Sequence, residues 1–401
     1  MKRRDFLRYS VAGGLVLAQP QLALAAIEGQ SSYNPSLYNP TRYLFIADSE
    51  SPFITVFNVM YGKHIDLLNF NLRPETIEIA RDDSMMIVGN SESTDLILYD
   101  LKTRLQSNVT LPSPIHRAVF VPQSKLVAIG MSDQFGLLNY QTGQLTVYPK
   151  PVAVEEQVET AERDFTLLFS SFTRTYWVLD EDKPQIYRKS AYDPDDTPWE
   201  IMDLSKRVNI TSGFDGGVVT PGNYMMALTT KQGNEGYVYY MDEDKVYSTG
   251  PMGTESSPSG PMVRPYIDSS FKRVLFADAS GNVALFDFDK SEQAQHFKVD
   301  FAPRNFSTGW LETTLILGGD KGVQFQSFKD LDDKVFFELP SGVADMWVSG
   351  DSKTLYITLD EGDPKVLRYD IRNRKELEPI LVHGIIKGAA LRMGSTNSIC
   401  H

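Results

Sequence analysis

Glu75, His116, Glu156, Asp215, Arg304 and Lys387 each stand just ahead of a short apolar run, at the starts of repeating units spaced 40 to 59 residues apart. Val263 and Ala344 occupy the same place in two further units. Charged groups in front of apolar neighbours are unusual. Brought together in a narrow opening, three acids facing a histidine, an arginine and a lysine could grip a polar or zwitterionic ligand by charge-assisted hydrogen bonds, or could neutralise one another and plug the opening. The other candidates offer less chemistry. His64, His116, His296, His383 and His401 include no pair at a metal-binding spacing, so no sequence-local zinc or copper site is expected. The acidic runs at Asp180 to Asp182, Asp193 to Asp196, Asp242 to Asp244, Asp332-Asp333 and Asp360 to Asp363 lack the full spacing of a calcium loop. They fall where hairpin turns are expected. No P-loop and no Gly-x-Ser-x-Gly elbow occurs.

The elements that would position these groups are read from an internal repeat. Arg42 to Phe57 aligns without a gap on Ser84 to Tyr99, each a strand, a polar turn and a strand. Longer units of the same form begin at Glu75, His116, Val263 and Ala344, and third strands close on Tyr99-Asp100, Phe286-Asp287 and Tyr369-Asp370. Most steps of 40 to 43 residues suit four short strands with tight turns, the size of a propeller blade. The unit at Arg42 lacks a first strand, and the last, Lys387 to Met393, is only a first strand. Together they make one blade. The expectation is therefore all-β: a single propeller of eight four-stranded blades, with seven as the second count, closed by pairing of the N- and C-terminal segments so that no sheet edge stays open. Two longer steps put extra residues into Ser190 to Phe214, with Tyr192 and Trp199, and into Gly250 to Pro261. These are expected to lead into first strands and to wall the channel mouth as lid loops.

The N-terminus adds an address. Lys2-Arg3-Arg4-Asp5-Phe6-Leu7-Arg8, a short apolar run and Ala23-Leu24-Ala25-Ala26 form a signal peptide of the twin-arginine pattern, too short to span a membrane stably. This divides the chain into a signal peptide at 1–25, a linker at 26–40, the propeller at 41–395 and a tail at 396–401, and it implies a periplasmic protein. Removing residues 1–25 takes away four basic residues and Asp5, so the formal charge of −13 becomes still more negative. Nucleic acid is an unsuitable partner for such a surface; a protein partner or a small polar ligand suits it. With 42% hydrophobic residues the chain can bury a large core, and its lone cysteine, Cys400, excludes intramolecular disulfides. Cys400-His401 is half of a haem-attachment pattern without the upstream cysteine, and a free thiol is the ordinary reading.

The Asp351-Ser352-Lys353 turn and the aromatic–Asp closes resemble the repeat of YVTN-type and quinoprotein amine dehydrogenase-like propellers over residues 40–395. That superfamily contains binding modules as well as dehydrogenase subunits, lactonases and haem d1 proteins, and its repeat motif carries stability, not chemistry. No catalytic motif can be carried over. The sequence leans towards a periplasmic accessory propeller that binds a ligand or partner at its funnel mouth. The alternative is an oxidoreductase or oxidoreductase subunit of the quinoprotein or haem d1 type, so the cofactor is unknown and haem or quinone stays open.

Overall fold

The computed structural model describes residues 43–394 apart from 132–133, 150–164, 195, 254–258 and 383–387. The signal-peptide segment, Glu156, His383, Lys387 and Cys400 therefore lie outside the described residues. Among the described residues, thirty-two strands make eight four-stranded antiparallel sheets, with no α-helix and only a 3₁₀ turn at Leu204–Lys206. No described helix is long and apolar enough to cross a membrane.

Each sheet is one blade, numbered 1 to 8 in chain order from the sheet that holds Tyr43–Asp48, and first strands touch from blade 7 through 8, 1 and 2 to 3 and between blades 4 and 5, which sets them around a common centre. Blade 1 is composite. Its inner strand, Gly388–Met393, comes from the end of the chain and pairs antiparallel with Tyr43–Asp48. The closing strand expected from the two half-units is thus present, and the count is eight.

Period-two alternation explains why the blades stack. In Arg273–Ala277, Val274 packs into the cluster shared with blade 5, while its neighbour Leu275 packs into the cluster shared with blade 7. The same division throughout yields eight clusters of buried apolar side chains, one between each pair of neighbouring blades. Middle strands touch a blade on both faces and are buried throughout, as in Thr175–Asp180 and Met225–Thr230. Rim strands meet water and turn polar, as in Ser291–Lys298. The strand-end acids are turn formers: buried Asp180 accepts the N–H groups of Asp182 and Lys183, and Asp100 accepts those of Lys102 and Thr103.

Candidate functional site in the central channel

Six of the eight unit starts occupy one equivalent position, and a β-bulge defines it. In blade 3, Ile115 faces Met131 and Arg117 faces Gly130, so His116 is the extra residue. Asp215, Arg304 and Ala344 are inserted in the same way. Glu75 and Val263 donate their N–H groups to Gly89 and Ala277 at the matching points. Because a bulge re-aims side chains, these residues face the rim of the mouth. Glu75 is held there by Arg73 and by the N–H and hydroxyl of Ser91, at 2.7–2.9 Å. Arg304 bridges to Asp360 of the next blade at 2.5 Å, and His116 is exposed. In blade 4 the first strand is Phe165–Ser170, which begins well after Glu156 and pairs with Thr175–Asp180 without a bulge. The aligned start at Glu156 had fallen in a polar run.

Tyr192 and Trp199 are corrected by an unread strand. Glu200–Asp203 is the fourth strand of blade 4, so both aromatics lie in its third-to-fourth connection. In a blade of antiparallel strands that connection is on the face opposite the entry to the first strands. Neither residue lids the mouth; Trp199 packs edge-on against Phe135 at 5.6 Å.

Charged side chains do converge, one to five residues beyond the unit starts. Blades 2 and 6 stand opposite each other in a ring of eight, so the electrostatic contact between Glu78 and Arg264 runs across the central channel. Arg117, Asp345 and Arg392 join the same field. Glu78, Arg117, Asp345 and Arg392 are half-buried and Arg264 is exposed, and the surrounding protein raises the cost of each charge.

Around blades 8, 1 and 2 the charges are matched. Asp345 accepts from the N–H of Leu391 at 2.8 Å and from Arg392 Nη1 at 3.1 Å, and its other oxygen accepts from the N–H of Met346 at 2.8 Å. Arg392 Nε donates to the Ile77 carbonyl at 2.9 Å, and its Nη2 lies 3.9 Å from Glu78. Inner strands leave one edge unpaired towards the channel, and these side chains satisfy its amides and carbonyls. Burial pushes the carboxyl groups of Glu78 and Asp345 above the usual range, against the pull of Arg392. Burial also acts against the Arg392 guanidinium, but Glu78 and Asp345 outweigh it and hold it above its usual value.

Between blades 3 and 6 the charges are unmatched. Among the described residues Arg117 reaches only the Leu167 carbonyl, at 3.2 Å. Burial first, and repulsion from Arg264 second, push its guanidinium down to about 9, with Glu78 only partly opposing. Arg264 has no hydrogen bond or ion pair among the described residues, and burial lowers its pKa against Glu78. Both arginines line a cavity of about 230 Å³ with Asp215, Thr229, Met262 and Gly216-Gly217. The glycines keep this wall close: a Cβ on Gly217 would meet Leu179 at 2.9 Å. Asp215 accepts from the Thr229 hydroxyl at 2.6 Å, and burial raises its pKa against that bond and Lys231. Of the rim residues, Asp215 is the one that also faces this cavity. A larger cavity of about 570 Å³ opens at the rim between blades 4 and 5, but there Arg207 is already paired with Asp244 at 2.7 Å. Among the described residues no three His, Cys, Asp or Glu side chains are placed to hold a metal ion.

No protein-family model and no curated protein matches the chain. Solved structures do. The dihydro-heme d1 dehydrogenase NirN, solved in complex with DHE, is similar over 93% of this chain and 79% of its own, with TM-score 0.70 and 12% identity. AztD from Citrobacter koseri covers 88% of this chain and 98% of its own, with TM-score 0.57 and 13% identity. A functionally unknown protein from Desulfotomaculum acetoxidans covers 88% and 99%, with TM-score 0.52 and 10% identity. At such identities the likeness is one of fold, and the chain is an eight-bladed β-propeller similar in architecture to NirN and AztD.

Proposed function

We propose that this chain is a periplasmic accessory propeller, exported by the twin-arginine route, that binds a small anionic or zwitterionic ligand in its central channel. One observation carries the reading: Arg264 is solvent-exposed at a cavity with no hydrogen bond or ion pair among the described residues, and Arg117 at the same cavity is pushed down to about 9 by burial and by Arg264. A bound carboxylate or phosphate would relieve both arginines by charge-assisted hydrogen bonds. Asp215 at the same cavity offers an acceptor for an ammonium group.

Calorimetric titration with glutarate, inorganic phosphate and 5-aminopentanoate tests it. Binding of at least one probe is expected, weakened about thirtyfold by Arg264→Met, the loss of roughly 2 kcal/mol from one charged hydrogen bond. No binding of any probe, or binding indifferent to Arg264→Met, contradicts the reading. The oxidoreductase alternative draws on the NirN-like fold. An absorption spectrum of protein isolated after export separates the two, because a bound haem or quinone absorbs in the visible or near-ultraviolet and an empty binder does not.

A further inference from the structure

The two faces of the disc are unlike. Turns from first to second and from third to fourth strands share the face opposite the channel mouth, because successive strands are antiparallel. Of eleven exposed large apolar side chains among the described residues, seven lie in those turns, from Tyr224 at 50% to Leu311 at 75% exposed. The other four are on rim strands, and the turns of the mouth face have none. Isolated exposed apolar residues need no explanation, but a contiguous set does.

Contacts join four of them, Tyr192, Phe172, Tyr224 and Leu311, into one arc. Tyr192 lies under the Arg174 guanidinium at 5.0 Å, and Phe172 lies under that of Arg81 at 5.7 Å. The N–H of Phe172 donates to Pro221 of the next blade at 3.0 Å. Three residues on, Tyr224 meets Phe271 at 6.2 Å, and Ser269 bonds to Glu312 at 2.6 Å, beside Leu311. The same stretch holds backbone strain. Phe271, Trp310 and Leu311 have φ of 57°, 48° and 55°, a region that bulky side chains avoid. Phe271 and Trp310 pack back against the interblade clusters, while Leu311 is held outward.

Charge selects the partner. Among the described residues Arg81 and Arg174 have no ion pair, and neither do Asp242, Asp330 and Asp332, which lie in third-to-fourth turns of the same face. Unmatched charges of both signs on one apolar face make it complementary to itself under a two-fold axis, where each copy offers cations to the other's carboxylates. We propose that this face is the interface of a homodimer, in which the aromatic arcs of two copies pack together and both channel mouths stay open.

Sedimentation velocity on the full mature chain at about 1 to 100 µM tests this, a range in which a dimer of micromolar affinity is visible. A concentration-dependent dimer is expected. Leu311→Ser and Tyr192→Ser should each weaken it about thirtyfold, as loss of a central interface contact does, with thermal melts confirming that both variants fold. Leu381→Ser, which removes an equally exposed side chain from a rim strand, should leave association unchanged. A monomer throughout the range, association with a different partner only, or a dimer indifferent to Leu311→Ser and Tyr192→Ser overturns the proposal.

Discussion

The two halves of the channel use the same residue types for opposite ends. Around blades 8, 1 and 2, Asp345, Arg392 and Glu78 neutralise one another and seal the free inner edges of Gly388–Met393 and Thr76–Ile79. Between blades 3 and 6, Arg117 and Arg264 repel each other and Arg264 seals nothing among the described residues. A channel charge that is satisfied by its neighbours serves the fold, and one left unpaired is available for something the fold alone does not need. The first half closes the ring at its composite blade. The second leaves free energy available for a ligand.

The comparison breaks most visibly at Arg392. Arg392→Met strands the enclosed carboxylates of Asp345 and Glu78 and frees the Ile77 carbonyl, so it should lower stability by about 3 kcal/mol or more in urea unfolding. A loss below about 1 kcal/mol would mean that the matched half is not structural.

This contrast was only partly legible in the sequence. Blade number, the composite closing blade and the turn role of the strand-end acids follow from hydrophobic period and repeat length, which tertiary packing reinforces. The charged constellation was misplaced by a small slip. Charges in the positions just past the unit starts, Arg117, Arg264 and Asp345, stand in the aligned units beside His116, Val263 and Ala344. The bulge that sends one of two adjacent side chains to the rim and the other to the channel has no signature in composition. Glu78 and Arg392 lie three and five residues beyond their unit starts, inside apolar strands, and a charge in that setting is the signal that could have found them. Tyr192 and Trp199 were misplaced because Glu200–Asp203, a four-residue strand with Glu and Asp at its ends, has almost no strand pattern to read.

A pH series on Glu78→Gln sharpens the account with a smaller effect. The carboxyl of Glu78 is held above its usual value in the folded chain by burial, so the folded state binds that proton more tightly than the unfolded state, where the pKa is about 4.3. Stability attributable to Glu78 therefore falls as pH rises from about 4.3 through the raised folded value, and is flat above it. The wild type should lose stability relative to Glu78→Gln over that interval, by roughly 1.4 kcal/mol per unit of upward shift. Parallel curves for the two proteins would show that Glu78 does not feel the channel.

The smallest expected effect tests the central claim most directly. The double variant Arg117→Met, Arg264→Met removes two guanidinium groups whose mutual repulsion, with the partial burial of Arg117, counts against the fold, and replaces them with unbranched, uncharged side chains. Thermal unfolding without ligand should give a melting temperature equal to or slightly above that of the wild type, with the stabilisation by a bound anion abolished. A melting temperature lowered as far as that of Arg392→Met would contradict the account, because it would make the unmatched pair as structural as the matched one.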